Sequence, residues 1–106
     1  MSVMKGAEAE MVLLGTLMLS PGLLDEMAGD VKAQDFCHPE NGRIYSTMMK
    51  LRASSSGLSP LAISQAYPGD ISELGGFDYL TRIDEATATA ETFEFFRDRV
   101  ISAAKI

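Results

Sequence analysis

With 106 residues, 46% of them hydrophobic, and a formal charge of −6, the chain has room for one domain and one core. Its acidity argues against a duplex-DNA reader, and its nine lysines and arginines are scattered without forming a run. A single cysteine, Cys37, excludes an internal disulfide and a multi-cysteine zinc site, which suits a reducing cytosol.

Met1 to Gly6 shows no periodicity and reads as a flexible start (residues 1–6), with a helical domain over 7–106. The first helix runs from Ala7 to Leu19. Between Ala9 and Leu19, eight of eleven residues are Ala, Val, Leu or Met, and only Glu10 is charged. A helix apolar on most of its faces sits inside a bundle. Gly15 costs about 1 kcal/mol of helix propensity relative to Ala, so it marks a place where another helix approaches closely. The run stops at Ser20-Pro21-Gly22, too short to span a bilayer. Lys5 ahead of an apolar stretch has the outline of a signal peptide, but Glu8 and Glu10 interrupt it and no small-residue cleavage site follows.

Ser20-Pro21 predicts the next helix start, with Ser as N-cap and Pro at the first helical position. Leu23, Leu24, Met27 and Val31 form its apolar face, and Gly29 ends it. Lys32 to Pro39 is a connector anchored by Phe36. A third helix follows to about Arg52, with Ile44, Met48 and Leu51 on one stripe and Tyr45, Met49 and Arg52 on the neighbouring one. Ser54 to Gly57 is a polar turn open to proteases. Ser59-Pro60 opens a short fourth helix that Pro68-Gly69 stops. Ile71 and Leu74 then cover a core edge. Gly75-Gly76 turns sharply into a fifth helix, where Phe77, Tyr79, Leu80 and Ile83 supply apolar contacts. Thr87 or Thr89 caps a sixth helix reaching the end, with Glu91 and Glu94 near its start and Lys105 near its end, as the helix dipole favours. No stretch reads as a strand. The expected fold is all-α, a compact orthogonal bundle of about six helices around a buried first helix.

Catalytic signatures are sparse. None of the four lysines lies in a Gly-x-x-x-x-Gly-Lys-Ser/Thr setting, so the chain has no P-loop for ATP. Cys37-His38 adjoin in sequence, a poor arrangement for a nucleophile and base, which are usually brought together from separate segments. Asp35, His38 and Glu40 fall short of the four ligands of a closed zinc site. Glu91, Glu94 and Asp98 read as a solvated helix face. The seven methionines lie mostly at core spacing. We expect no catalytic residue, no metal site and no cofactor in this chain.

The sixth helix holds the one anomaly. Phe93, Phe96, Val100 and Ala104 share one face, whereas Phe95, Arg99, Ser102 and Ile106 lie on another. Phe95 and Ile106 either await a partner or, for Phe95, pack on the fifth helix.

Taken in order, the motifs resemble the N-terminal domain of DnaB-type replicative DNA helicases over about residues 8 to 103. Glu8-Ala9-Glu10 with Leu14-Gly15 and Leu17-Met18-Leu19 is similar to the family's opening. Asp35-Phe36, Arg43-Ile44-Tyr45 and Met49-Lys50-Leu51 resemble its second segment. Gly75-Gly76-Phe77-Asp78-Tyr79-Leu80 is similar to its V-G-G-x-x-Y-L, and Thr87-Ala88-Thr89-Ala90 to its T-P-S-A-A, with Arg97 to Val100 following. Ser59-Pro60, Pro68-Gly69 and Cys37-His38 depart from the pattern. The resemblance implies a non-catalytic interaction domain that organises a hexameric ring and contacts other helicase subunits, primase or a loader. It implies that Phe95, Arg99, Ser102 and Ile106 bind a partner. It also implies that ATP and magnesium belong to an ATPase domain outside these residues, and that the chain ends within the first arm of a helical hairpin. Neither duplex DNA nor a membrane is an expected partner, and the expected location is cytoplasmic. Two alternatives remain open: a free-standing phage or prophage regulator of helicase or primase, and a domain like the helicase-binding C-terminal domain of primase.

Overall fold

Helix α1, Gly6–Leu19, is enclosed on nearly every side in the computed structural model. The model describes the backbone at residues 6–54, 57–86 and 93–104, and side chains at 9–54, 57–86 and 97–102. On α1, Leu13, Leu14 and Leu17 are fully buried, and Ala9, Glu10 and Thr16 nearly so. Each buried leucine contributes about 1.5–3 kcal/mol relative to an exposed one. The helix touches α2 (Gly22–Met27), α3 (Pro39–Ala53), α5 (Phe77–Glu85) and α6 (Phe93–Ala104). A short α4, Pro60–Ala66, packs on α3 and α5. Two 3-10 turns, Ala33–Asp35 and Ile71–Leu74, complete an all-α bundle with no strand among the described residues.

Gly15 is where α5 comes closest. A Cβ there would stand 2.3 Å from the Ile83 carbonyl oxygen and 3.4 Å from the Ala86 carbonyl carbon. Both obstacles are backbone, so the two helices meet with no room for a side chain between them.

Ser59 caps α4 as expected, its hydroxyl accepting the Ala62 N–H at 3.1 Å. Ser20 does not cap α2. Its N–H still closes α1 on the Thr16 carbonyl at 2.9 Å, so Pro21 becomes the residue before the helix and the Ser20 side chain is not used. Leu24, Met27 and Val31 are buried, and Leu23 is half-buried. Phe36 anchors its connector against Tyr45, their ring centroids 5.0 Å apart. On α3, Ile44, Met48, Leu51 and Tyr45 are buried, whereas Met49 is 37% exposed because its side of the helix lies toward solvent.

Gly75 and Gly76 both take positive φ, 93° and 89°, a conformation that other residues adopt only with strain. They close the second 3-10 turn and open α5, whose Leu80 and Ile83 are buried. Phe77 is 44% exposed, contrary to the expectation that it supplies core contacts. It is the first residue of α5, where the apolar stripe runs past the helices that cover Leu80 and Ile83. The expected flexible start covers residues 1–6, but Gly6 is already the first residue of α1; residues 1–5, the serine turn at Ser55 and Ser56, and the Thr87–Thr89 cap fall outside the described residues.

Gly15→Ala should lower stability by about 1–3 kcal/mol, because backbone must move to admit the methyl group. Gly22→Ala, with nothing within 4 Å of the added carbon, should be neutral or gain up to about 1 kcal/mol. Urea unfolding midpoints of the two variants distinguish a packing cost from a general effect of losing glycine.

Candidate functional site

Helix α6 carries the face expected to bind a partner. It packs on α1 and on the first 3-10 turn, with Val100 buried and Ile101 partly buried against the core. Arg99 is half-buried and Ser102 exposed. Arg97 lies 3.3 Å from the Asp98 carboxylate. The side chains of Phe95, Phe93 and Phe96, together with Ile106, lie outside the described residues. The backbone therefore places Arg99 and Ser102 one turn apart on α6, with Val100 turned to the core between them.

A second constellation, absent from the sequence-based expectations, lies at the junction of three helices. Glu10 on α1 is 1% exposed. Its Oε2 accepts the Cys37 N–H at 2.6 Å, and its Oε1 accepts the His38 N–H at 3.4 Å and the Asn41 Nδ2–H at 2.7 Å. Asn41 Oδ1 in turn accepts the Tyr79 hydroxyl at 2.5 Å. A buried carboxylate costs several kcal/mol unless it is hydrogen-bonded, and here three donors surround it.

The position of this carboxylate has a local cause. His38 is the N-cap residue of α3 and supplies no side-chain bond to it. Glu10 provides the negative charge that the helix start favours, but from another helix. Burial holds the Tyr79 phenol above its ordinary range, with Asn41 opposing and the charges of Glu40 and Glu10 adding to the rise. Tyr79 therefore remains the proton donor of its bond to Asn41. Among the described residues, no buried side-chain nitrogen or oxygen lacks a partner.

The DnaB-like helicase N-terminal domain model matches residues 4–101. The chain belongs to that family. The replicative DNA helicase DnaB of Haemophilus influenzae is 33% identical over 95 residues, covering 88% of this chain and 20% of that protein. The replicative DNA helicase DnaC of Bacillus subtilis is 30% identical over 91 residues, covering 84% of this chain and 20% of that one. The chain thus spans about a fifth of the length of these relatives. Its fold is similar to the N-terminal domain of DnaB helicase from Helicobacter pylori, a structure described with its interactions with primase. There the TM-score is 0.81 at 21% identity, covering 92% of this chain and 77% of that one. The N-terminal domain of DnaB helicase from Mycobacterium tuberculosis superimposes with a TM-score of 0.84 at 19% identity, covering 97% and 73%.

The polar network joins parts of the chain in or beside three of the four segments that resemble the DnaB family. Glu10 comes from the first, Asn41 stands just before Arg43-Ile44-Tyr45, and Tyr79 lies in the Gly-Gly segment. The sequence did carry one signal for it: a single charge in the most apolar stretch of the chain.

Cys37 is exposed, while its backbone N–H is held by Glu10. Desolvation and the Glu10 carboxylate both raise its thiol above the ordinary range, so the reactive thiolate is scarce at neutral pH. Among the described residues, no three of His, Cys, Asp and Glu gather where they could hold a metal. Again among those residues, no helix is long and apolar enough to cross a membrane.

Glu10→Gln should destabilise the domain by about 1–3 kcal/mol, because the new amide nitrogen faces an N–H donor and leaves it unsatisfied. Tyr79→Phe should cost about 1 kcal/mol, and the double variant less than the sum, since both act through Asn41. Chemical denaturation of the four-member cycle measures this coupling. Alkylation of Cys37 by iodoacetamide should be slower than that of free cysteine at pH 8 despite its exposure. The rate should continue to rise above the ordinary thiol range, read by mass spectrometry across a pH series.

Proposed function

We propose that this chain is a non-catalytic interaction domain of a replicative DNA helicase, one that organises the hexameric ring and receives primase or a loader. The supporting observation is the family match over residues 4–101. The relation to a Helicobacter pylori domain described with its interactions with primase points in the same direction. In this reading ATP and magnesium bind outside these residues, the chain works in the cytoplasm, and duplex DNA is handled elsewhere in the assembly.

The partner residues in this reading are Phe95, Arg99, Ser102 and Ile106, which the sequence pattern puts on one side of a helix. What supports it is that the two described members, Arg99 and Ser102, lie off the face on which Val100 is buried. Aromatic and arginine side chains are the types that anchor protein interfaces.

Sedimentation velocity of the purified chain, alone and mixed with primase from the same source, tests the proposal. A primase complex is expected, and Phe95→Ala should weaken it about tenfold or more, the loss typical of a truncated aromatic anchor. Arg99→Ala should weaken it less. A mixture that sediments as two separate species would overturn the primase assignment. A complex indifferent to Phe95→Ala and Arg99→Ala would remove the contact from α6.

A further inference from the structure

Asn41 is the single asparagine of the chain, and a glycine follows it. That pairing is chemically labile. With no side chain on the following residue, the backbone nitrogen of the glycine can reach the asparagine amide carbon and displace ammonia. Packing accounts for each of the two residues separately. Asn41 is fully buried and tied at both ends: Nδ2–H donates to Glu10 Oε1 at 2.7 Å, and Oδ1 accepts the Tyr79 hydroxyl at 2.5 Å. Gly42 stands where a Cβ would lie 2.7 Å from the Ala33 carbonyl oxygen. Two unrelated requirements of the α3 start therefore put a reactive pair at its first turn.

The native fold keeps the reacting atoms apart. Asn41 is the third residue of α3, and the Gly42 N–H is engaged by the His38 carbonyl at 3.2 Å. Ring closure needs Asn41 to leave helical dihedral angles and its amide to part from both Glu10 and Tyr79. It also needs water, and Asn41 has no solvent exposure.

We infer that Asn41-Gly42 is a latent deamidation site, held closed by the Glu10–Asn41–Tyr79 network, and that reaction there bars the return to the native fold. When the first turn of α3 opens, the Gly42 nitrogen attacks Asn41 Cγ. A ring N–C bond forms, the Cγ–Nδ2 bond breaks, and the Gly42 amide proton leaves with the departing ammonia. Water then opens the succinimide at either carbonyl, giving aspartate or isoaspartate. Aspartate at this position has no N–H for Glu10 and sets a second carboxylate against it in the interior, where two like charges are poorly tolerated. Isoaspartate adds a carbon to the main chain within the first turn of α3 and breaks the hydrogen-bond register of the helix.

The test is incubation of the full chain in mildly alkaline buffer, native and in urea, with the acid at position 41 located by peptide fragmentation and mass spectrometry. The native chain should deamidate at least about a hundredfold more slowly than the unfolded one, because a buried helical turn opens only rarely. Tyr79→Phe, which frees one end of the amide, should accelerate the native reaction about fivefold, the factor that one lost hydrogen bond is worth. Asn41→Asp supplies the aspartate product directly, and its urea midpoint should fall well below that of the unaltered chain. If that variant does not fold at all, the bar to refolding is complete, and the two rates on the unaltered chain remain as the measure of protection. Equal rates in the native and unfolded chain, a Tyr79→Phe rate no faster than that of the unaltered chain, or an Asn41→Asp chain as stable as the original would overturn the inference.

Discussion

The Glu10 carboxylate is the constraint around which this domain is arranged. It lies on the innermost helix, where an unpartnered charge would be intolerable, and three N–H donors from one short segment surround it. Those donors fix the turn at Cys37 and His38, and therefore the direction in which α3 leaves it. Through Asn41 the same group reaches Tyr79 on α5. One side chain thus sets three helices relative to one another. Leucines at Leu13, Leu14 and Leu17 supply far more burial energy but little direction, since apolar contacts tolerate sliding that hydrogen bonds do not.

Close backbone packing completes what the carboxylate begins. At Gly15 the chain of α5 lies directly on α1, and Gly75 and Gly76 give α5 the turn that brings Tyr79 within reach of Asn41. The bidentate Asp25–Arg52 pair between α2 and α3, by contrast, is largely exposed and screened by solvent. It holds Asp25 below the usual carboxylate range through the Arg52 hydrogen bonds, but it is an accessory to the bundle. Tyr45 belongs to the interior system: its hydroxyl donates to the Val31 carbonyl at 2.8 Å, and burial, with the Asp35 charge adding, pushes its phenol up to about 12. The buried polar groups order the structure, and the surface pairs decorate it.

Helical periodicity made most of this architecture readable. The apolar density of Ala9 to Leu19 announced a buried helix, Gly15 a close approach, and Ser59-Pro60 a cap, all of which the structure contains. Ser20-Pro21 carried the same local signal as Ser59-Pro60 and gave a different result, because Ser20 is still committed to closing α1. Local patterns cannot register that competition. Phe77 shows a related gap: periodicity says which face of α5 is apolar, but not how far along the helix its neighbours extend. The Glu10 network was harder to read, since its donors stand 27 to 31 residues away and two of them are backbone groups that any residue would supply. For α6, spacing separates Arg99 and Ser102 from buried Val100, which is as much of the partner face as the described side chains address.

The interior also bears on how such a domain transmits a contact. Coupling between distant surfaces needs an element with two arrangements of similar energy. Every buried polar side chain among the described residues already has its partner, so separating α1, α3 and α5 would leave donors or acceptors stranded. That cost argues for a rigid body. The first 3-10 turn belongs to the same body, because both α3 and α6 pack on it. Two helices packed on one rigid turn hold a fixed mutual orientation. In a domain built this way, a contact at one face would displace the whole body and leave its shape unchanged.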